Sequence, residues 1–167
     1  MNYLIESERT EKKFPNGLGI RVREHDALAR LIQQLIPLEK EINSIKKEII
    51  YSEEIFESSK IQLSKFESEM LHCILGIISE SLELSIQLNN NFCEGREYDK
   101  KNLCEEFGDL EWYLAMGYRL LNKTQGEIQN GNIKKLKKRF PIKFTNEKAL
   151  NRDLEGESKI LNENFGD

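Results

Sequence analysis

The sequence predicts an all-α fold, a helical bundle with almost no strand. Only three prolines and ten glycines occur among the 167 residues, so few positions interrupt a helix. Isoleucine, leucine, glutamate and lysine are abundant, and apolar residues recur at helical spacing along much of the chain. A chain of this length fits a single domain, residues 1–167, that buries a core of its own.

The chain begins with a short lead-in, residues 1–19. This segment contains the turn-forming sequence Pro15-Asn16-Gly17. From Leu28 to Leu35 apolar residues recur at helical spacing, and Pro37 then either ends that helix or opens the next one from its first turn. We therefore expect a helix boundary near residue 37.

Residues 42–77 carry a heptad-like apolar pattern that predicts one long helix, straight or kinked. Its apolar members are Ile42, Ile45, Ile49, Phe56, Leu63, Phe66, Met70, Cys73 and Ile77, with Ser52 and Ser59 at two further seam positions. Such a segment is typical of a helix hairpin or of a coiled-coil arm used for dimerisation. We expect no functional site within it.

Three elements follow in the C-terminal half. Polar, turn-prone residues predict a loop over 89–99, and a helix is expected over 101–121. Another helix over 125–139 should stop at Pro141, and one short helix is expected from about Asn146. The helix that ends at Arg139 carries a run of basic residues, which could grip a phosphate group or form a solvated face near the helix C-terminus.

Charge and hydropathy argue against several classes of protein. A formal net charge of −4 argues against general nucleic-acid binding, since such proteins present a basic surface to phosphates. The first residues mix acids and bases without the apolar run of a signal peptide, and no later stretch of roughly 20 residues looks apolar enough to span a membrane. Three cysteines without zinc-like spacing suggest neither disulfides nor a zinc site. We expect a cytoplasmic protein with no membrane partner.

Two pairs of acidic residues point to a metal site. Glu80 and Glu83 are three residues apart, and Glu106 and Asp109 repeat this spacing on the next helix, so each pair shares a helix face. If the two helices are antiparallel, four carboxylates meet and repel one another unless a cation lies between them. Oxygen ligands suit Mg²⁺, and also Mn²⁺, better than zinc. The same spacing is common on solvated helix faces, so both interpretations stay open.

The apolar stripes of these helices favour an inward position for the acids. Glu80 and Glu83 lie in a wedge between two stripes, and the wedge includes Gly76, which would let a second helix or a ligand come close. On the second helix Glu106 borders the apolar stripe, whereas Glu105 points to another side. The pattern therefore selects one glutamate of that adjacent pair.

Three segments together resemble the MazG-like nucleotide pyrophosphohydrolases, especially the short type of bacteriophages and bacteria. They are GIISESLEL with an ExxE motif, LCEEFGDLEWYLA with an ExxD motif, and NIKKLKKRFPIKF with an Asn-x-x-Lys-Leu-x-x-x-Arg helix, in the order typical of the family. The resemblance covers residues 70–153. It implies a MazG-like catalytic core at 70–153, preceded by a long, coiled-coil-like helical extension at 20–69.

The resemblance also implies an activity. Family members are helical bundles, dimeric or tetrameric, that hydrolyse nucleoside triphosphates, including deoxynucleotides and non-canonical nucleotides, to the monophosphate and pyrophosphate. Four carboxylates would bind magnesium: Glu80, Glu83, Glu106 and Asp109. Three residues fall where the family contacts its nucleotide substrate: Asn132, Lys135 and Arg139. We expect Glu80 to be catalytic, as the acceptor of a proton from the attacking water.

A second interpretation is a helical interaction protein of the same ancestry without catalysis. Its coiled-coil-like arm would then bind a partner or a second copy. The complete set of four acids speaks against this interpretation. Trp112 and Tyr113 could stack on a nucleobase, but a core or interface position is favoured for both.

Overall fold

The computed structural model describes residues 2–14, 18–51 and 61–166. Regular structure in these residues is entirely helical, which confirms the predicted all-α class. Its seven helices are α1 (Tyr3–Thr10), α2 (Val22–Tyr51), α3 (Lys65–Phe92), α4 (Lys100–Leu120), α5 (Gln125–Arg139), α6 (Asn146–Leu150) and α7 (Leu154–Phe165). They form two compact units: a central unit, residues 19–122, and a terminal unit, which joins residues up to 18 with those from 123 onwards.

The range 70–153, predicted as the catalytic core, contains parts of both units. The predicted division of the chain into a lead-in, an extension and a core stays a prediction. Two helices were not predicted, α1 inside the expected lead-in and α7 near the C-terminus. Both are short, with eight and twelve residues, so each offers few apolar positions to a sequence pattern. Each packs against α5, which supplies the contacts that an isolated short helix lacks.

In the central unit, α2 and α3 form an antiparallel hairpin. His25, near the start of α2, stacks on Phe92, at the end of α3, with 4.4 Å between ring centroids. Tyr51 ends α2 and contacts His72, early in α3. The continuous helix predicted over 42–77 is therefore wrong, and the hairpin alternative is correct. Ser64 caps α3 through a reciprocal pair of hydrogen bonds with Glu67, which fixes the new start.

Three predicted seam positions of that helix, Ser52, Phe56 and Ser59, lie outside the described residues. The helix boundary predicted near residue 37 is wrong, because Pro37 lies inside α2. Proline removes one backbone donor from the helix. Contacts with α3 on both sides of it, at His25 and at Lys46, stabilise α2 as one element.

Close packing of α4 on α3 depends on small residues. A Cβ on Gly76 would lie only 2.1 Å from the Tyr113 ring, so the ring occupies the space that any other residue would need. The Cys73 thiol donates to the carbonyl oxygen of Tyr113 at 3.2 Å. These contacts confirm the prediction that Gly76 lets a second helix come close. They also place Tyr113 in the core, as favoured from the sequence.

The connection between α3 and α4 is shorter than predicted. The loop expected from residue 89 begins only after Phe92, because Asn89 is a buried part of α3 whose carbonyl oxygen accepts hydrogen bonds from the Cys93 and Glu94 amides. Gly95 takes a left-handed conformation in the turn, with φ of +69°. Asp99 then caps α4 by accepting hydrogen bonds from two backbone amides.

α3 is more apolar than we expected any stretch of the chain to be. By length and composition it is the one described helix that could cross a membrane, with a mean hydropathy of 1.3 over its most apolar stretch, contrary to our expectation that no segment qualifies. The core helix of a soluble protein has the same properties, and a third of that stretch is buried. α3 packs against both α2 and α4, so it is the core helix of the central unit.

The close approach at Gly76 yields a stability prediction. Gly76→Ala should lower the free energy of unfolding by about 1–3 kcal/mol, because the new methyl group overlaps the Tyr113 ring. Gly108→Ala is the matched control on α4, since a Cβ there meets nothing within 4 Å. It should raise stability by about 0.5–1 kcal/mol. Urea denaturation followed by circular dichroism measures both, and equal effects would contradict the packing described here.

Candidate metal centre

Three carboxylates of the central unit converge on one point. Glu80 and Glu83 project from α3 and Glu106 from α4, and one oxygen of each lies within 4.8 Å of the others. Glu80 is 8% exposed and Glu106 4%, while Glu83 is half-buried. Glu105 is exposed, so the selection of Glu106 from the adjacent pair is confirmed. The structure therefore brings together three of the four predicted metal ligands.

Asp109, the fourth predicted ligand, is exposed and lies outside this group of three. It follows Glu106 by three residues on α4, and its negative charge contributes to raising the pKa of Glu106. The carboxyl group is thus close enough to act on the cluster electrostatically. Its role as a metal ligand stays a prediction.

Burial and mutual repulsion disfavour the charged forms of the clustered acids. Burial raises the pKa of Glu106, and the negative charges of Glu83 and Glu80 raise it further, against the lowering effect of a hydrogen bond from Asn102. Burial also raises the pKa of Glu83, again with Glu80 as a contributor. Both shifts show that the folded protein disfavours the charged form of these acids. A cation at this point would relieve that cost.

Side-chain amides orient two of the acids. Asn102 donates to Oε1 of Glu106 at 2.7 Å and accepts a hydrogen bond from Gln87. Asn43, on α2, donates to Oε1 of Glu83 at 3.3 Å and also to Glu39 at 2.6 Å. The cluster therefore has supports from all three helices of the central unit.

Lys46, on α2, is the residue of this site that the sequence analysis missed. It is 7% exposed, and its Nζ lies 2.6 Å from Oγ of Ser79 and 3.6 Å from Oε1 of Glu80. The predicted apolar seam passed through Ile45 and Ile49, but both are exposed. The sequence contains a signal for the true face, since Lys46 follows one helical stripe with Asn43, Glu39 and the buried Ile32.

A cleft of about 410 Å³ opens beside the cluster. Its lining residues are Glu83, Ile86, Gln87, Asp99, Lys101, Asn102, Glu105 and Glu106. Two of the clustered acids thus face a space that can admit a ligand, and Lys101 supplies a positive charge at its wall. A larger cleft of about 540 Å³ lies in the terminal unit, where Lys13 is already paired with Glu8 and Glu11.

The three residues predicted to contact a nucleotide belong to the terminal unit. Asn132 donates to the Tyr3 hydroxyl at 3.0 Å, and Lys135 is half-buried. Arg139 donates to both oxygens of the buried Glu157, at 2.7 and 2.6 Å, and hydrogen bonds from Arg139 and Arg152 lower the Glu157 pKa to about 2. Arg139 thus has a structural partner that the sequence did not reveal. The nucleotide-binding roles of all three stay predictions.

The fold and the cluster define a class, an all-α protein with an internal acidic centre. No protein-family model, curated protein or solved structure matches this chain. The resemblance to the MazG-like enzymes therefore rests on the three sequence segments alone.

The raised pKa values yield a prediction for pH and stability. The folded protein holds protons on Glu83 and Glu106 to higher pH than the unfolded chain, whose glutamates titrate near 4.5. The stability that these two acids contribute in the presence of a chelator should therefore fall as pH rises from 4.5 through their raised pKa values. Glu106→Gln should make this fall shallower, as measured by melting temperature from pH 4.5 to neutral. An unchanged slope would show that Glu106 does not titrate as described.

The Arg139 to Glu157 pair yields a second prediction for stability. Arg139→Ala should reduce the free energy of unfolding of the terminal unit by about 2–4 kcal/mol, because it leaves a buried carboxylate with Arg152 alone. Lys148→Ala, at an exposed position of the same unit, should change it by less than about 0.5 kcal/mol. Urea unfolding compares the two, and matching midpoints would rule out a structural role for Arg139.

Proposed function

We propose that the chain is a magnesium-dependent nucleoside triphosphate pyrophosphohydrolase of the MazG-like type. The observation that carries this proposal is the convergence of Glu80, Glu83 and Glu106 from two helices onto one buried point. These residues belong to the ExxE and ExxD motifs on which the family resemblance rests. Two independent observations thus favour the same acids: the order of the motifs in the sequence and the proximity of the carboxylates in the structure.

Magnesium fits this donor set. All three groups offer carboxylate oxygens, the ligand type that Mg²⁺ and Mn²⁺ prefer over sulfur or nitrogen. Their mutual repulsion and partial burial give a divalent cation a strong electrostatic advantage. Asp109 lies one helical turn beyond Glu106 and would complete the set of four.

Each residue then has a task in hydrolysis between the α and β phosphates. Bound magnesium would neutralise charge that builds on the phosphate and lower the pKa of a bound water. Glu80, Glu83 and Glu106 would hold the ion. Glu80 accepts the proton of the attacking water. Lys101, on the cleft wall, attracts the negatively charged phosphate chain.

The proposal includes an assembly and a location. We propose a cytoplasmic homodimer or homotetramer, because large apolar side chains of the central unit are solvent-exposed in the single chain. Phe107 and Trp112 on α4 are 58% and 56% exposed, and Ile74 on α3 is 47% exposed. Apolar surface of this kind is typical of contacts between subunits.

The same exposed side chains favour a second candidate, a helical interaction protein without catalysis. Both candidates would assemble, but only the enzyme needs the buried acids for turnover. A panel of nucleoside and deoxynucleoside triphosphates, assayed for pyrophosphate release with magnesium and with chelator, separates them. Release that requires magnesium supports the enzyme, and no turnover of any member favours the second candidate.

Substitution of one clustered acid provides the sharper test. Glu83→Gln should reduce kcat/KM by at least about a hundredfold, because it removes a metal ligand while keeping the size of the side chain and its contact with Asn43. Glu111→Gln, at an exposed position of α4, is the matched control and should keep wild-type activity. Circular dichroism verifies that both variants are folded. Equal activity of both would refute the assignment of Glu83.

A further inference from the structure

Lys46 is a buried charge that the proposed reaction does not yet use. Lysine is rarely buried without a partner, because transfer of an ammonium group from water costs several kcal/mol. Here the group has three neighbours: Ser79 Oγ at 2.6 Å, Glu80 Oε1 at 3.6 Å and the Tyr113 ring, whose centroid is 5.7 Å away. All three lie on the two helices that bear the acidic cluster.

The hydrogen bonds around Ser79 connect this lysine to the cluster. Ser79 is fully buried and accepts from Lys46, and its own hydroxyl lies 3.1 Å from Glu80 Oε1 and 2.9 Å from the carbonyl oxygen of Gly76. The hydroxyl has one proton, which it can donate to either of these oxygens. Oε1 of Glu80 therefore lies beside both the Ser79 hydroxyl, at 3.1 Å, and the Lys46 ammonium, at 3.6 Å.

The arrangement of charges also connects Lys46 to the acidic cluster. Three acids within 4.8 Å bring up to three negative charges to one buried point, and the Lys46 ammonium is the positive charge placed against them from α2. The amides of Asn43 and Asn102 orient two of the acids but are neutral. Lys46 thus supplies the cluster with a positive charge, which these neutral amides cannot provide.

We propose that Lys46 is a positioning residue of the acidic centre: its ammonium is the built-in counter-cation of the three carboxylates and, through Ser79, fixes the orientation of Glu80. The inference deepens the proposed function, on which its link to metal binding rests. Lys46 would hold the acids together whether or not the proposed function is correct. This role assigns to α2, outside the motifs of the resemblance, a direct part in building the site.

The test is a double-mutant cycle on melting temperature in the presence of a chelator. Lys46→Met keeps the length of the side chain and removes its charge, and should lower the melting temperature by at least about 8 °C, because three acids lose their counter-charge. Glu80→Gln in the same chain should recover about half of that loss, because one of the acids is neutralised. Lys47→Met, at the exposed neighbouring position, is the control and should change nothing.

The coupling between Lys46→Met and Glu80→Gln decides whether the proposal holds. Losses from Lys46→Met and Glu80→Gln that simply add, or a Lys46→Met protein as stable as wild type, would overturn the proposal. If Lys46→Met does not fold, Ser79→Ala takes its place in the cycle with Glu80→Gln, since it removes the hydroxyl that lies between Lys46 and Glu80 while keeping both charges. Additive effects there would overturn the claim that Lys46 orients Glu80 through Ser79.

A manganese titration of the same proteins separates this inference from the proposed function. Lys46→Met should gain more melting temperature from Mn²⁺ than wild type gains, because the ion then supplies the missing positive charge. If Mn²⁺ stabilises none of the proteins while the coupling in chelator persists, the metal-dependent function fails and the role of Lys46 stands. Where Mn²⁺ does stabilise the wild type, a gain in Lys46→Met no larger than that of wild type would overturn the counter-cation role.

Discussion

The repulsion among three carboxylates, two of them buried and one half-buried, is the constraint on which the central unit depends. Glu80, Glu83 and Glu106 come within 4.8 Å of one another, and burial together with their charges raises the pKa of the latter two. Hydrogen bonds from two side-chain amides reduce that cost. Asn102 contributes from α4 and Asn43 from α2, so the three helices must stay in register for the acids to coexist.

Packing between α3 and α4 sets the distance at which the acids meet. Gly76 lies one turn before Glu80, and it admits the Tyr113 ring, which lies two turns after Glu106 on α4. Burial, with smaller contributions from Tyr51 and Glu80, raises the pKa of Tyr113 to about 12, so its phenol stays neutral beside the acids. Apolar packing and the acidic centre are therefore parts of one arrangement.

The terminal unit uses its charges differently. Lys137 pairs with Glu6, Lys138 with Asp153, and Arg139 with the buried Glu157. Much of the basic run on α5 thus stabilises contacts with neighbouring segments of the same unit. A run of positive charge in the sequence gives no information about such partners, because they lie far away along the chain.

The sequence by itself determined the all-α class and the extents of α4 and α5, because these follow from local helix propensity. It also determined the choice of Glu106 over Glu105, because that choice follows from the spacing of apolar residues on one helix. Only the tertiary structure decided that residues 42–77 do not form one helix, that α2 continues through Pro37, and that Lys46 faces the acids. Each of those outcomes depends on contacts between helices that are distant in sequence. The position of Asp109 outside the group of three has the same origin, since it depends on how α4 is rotated against α3.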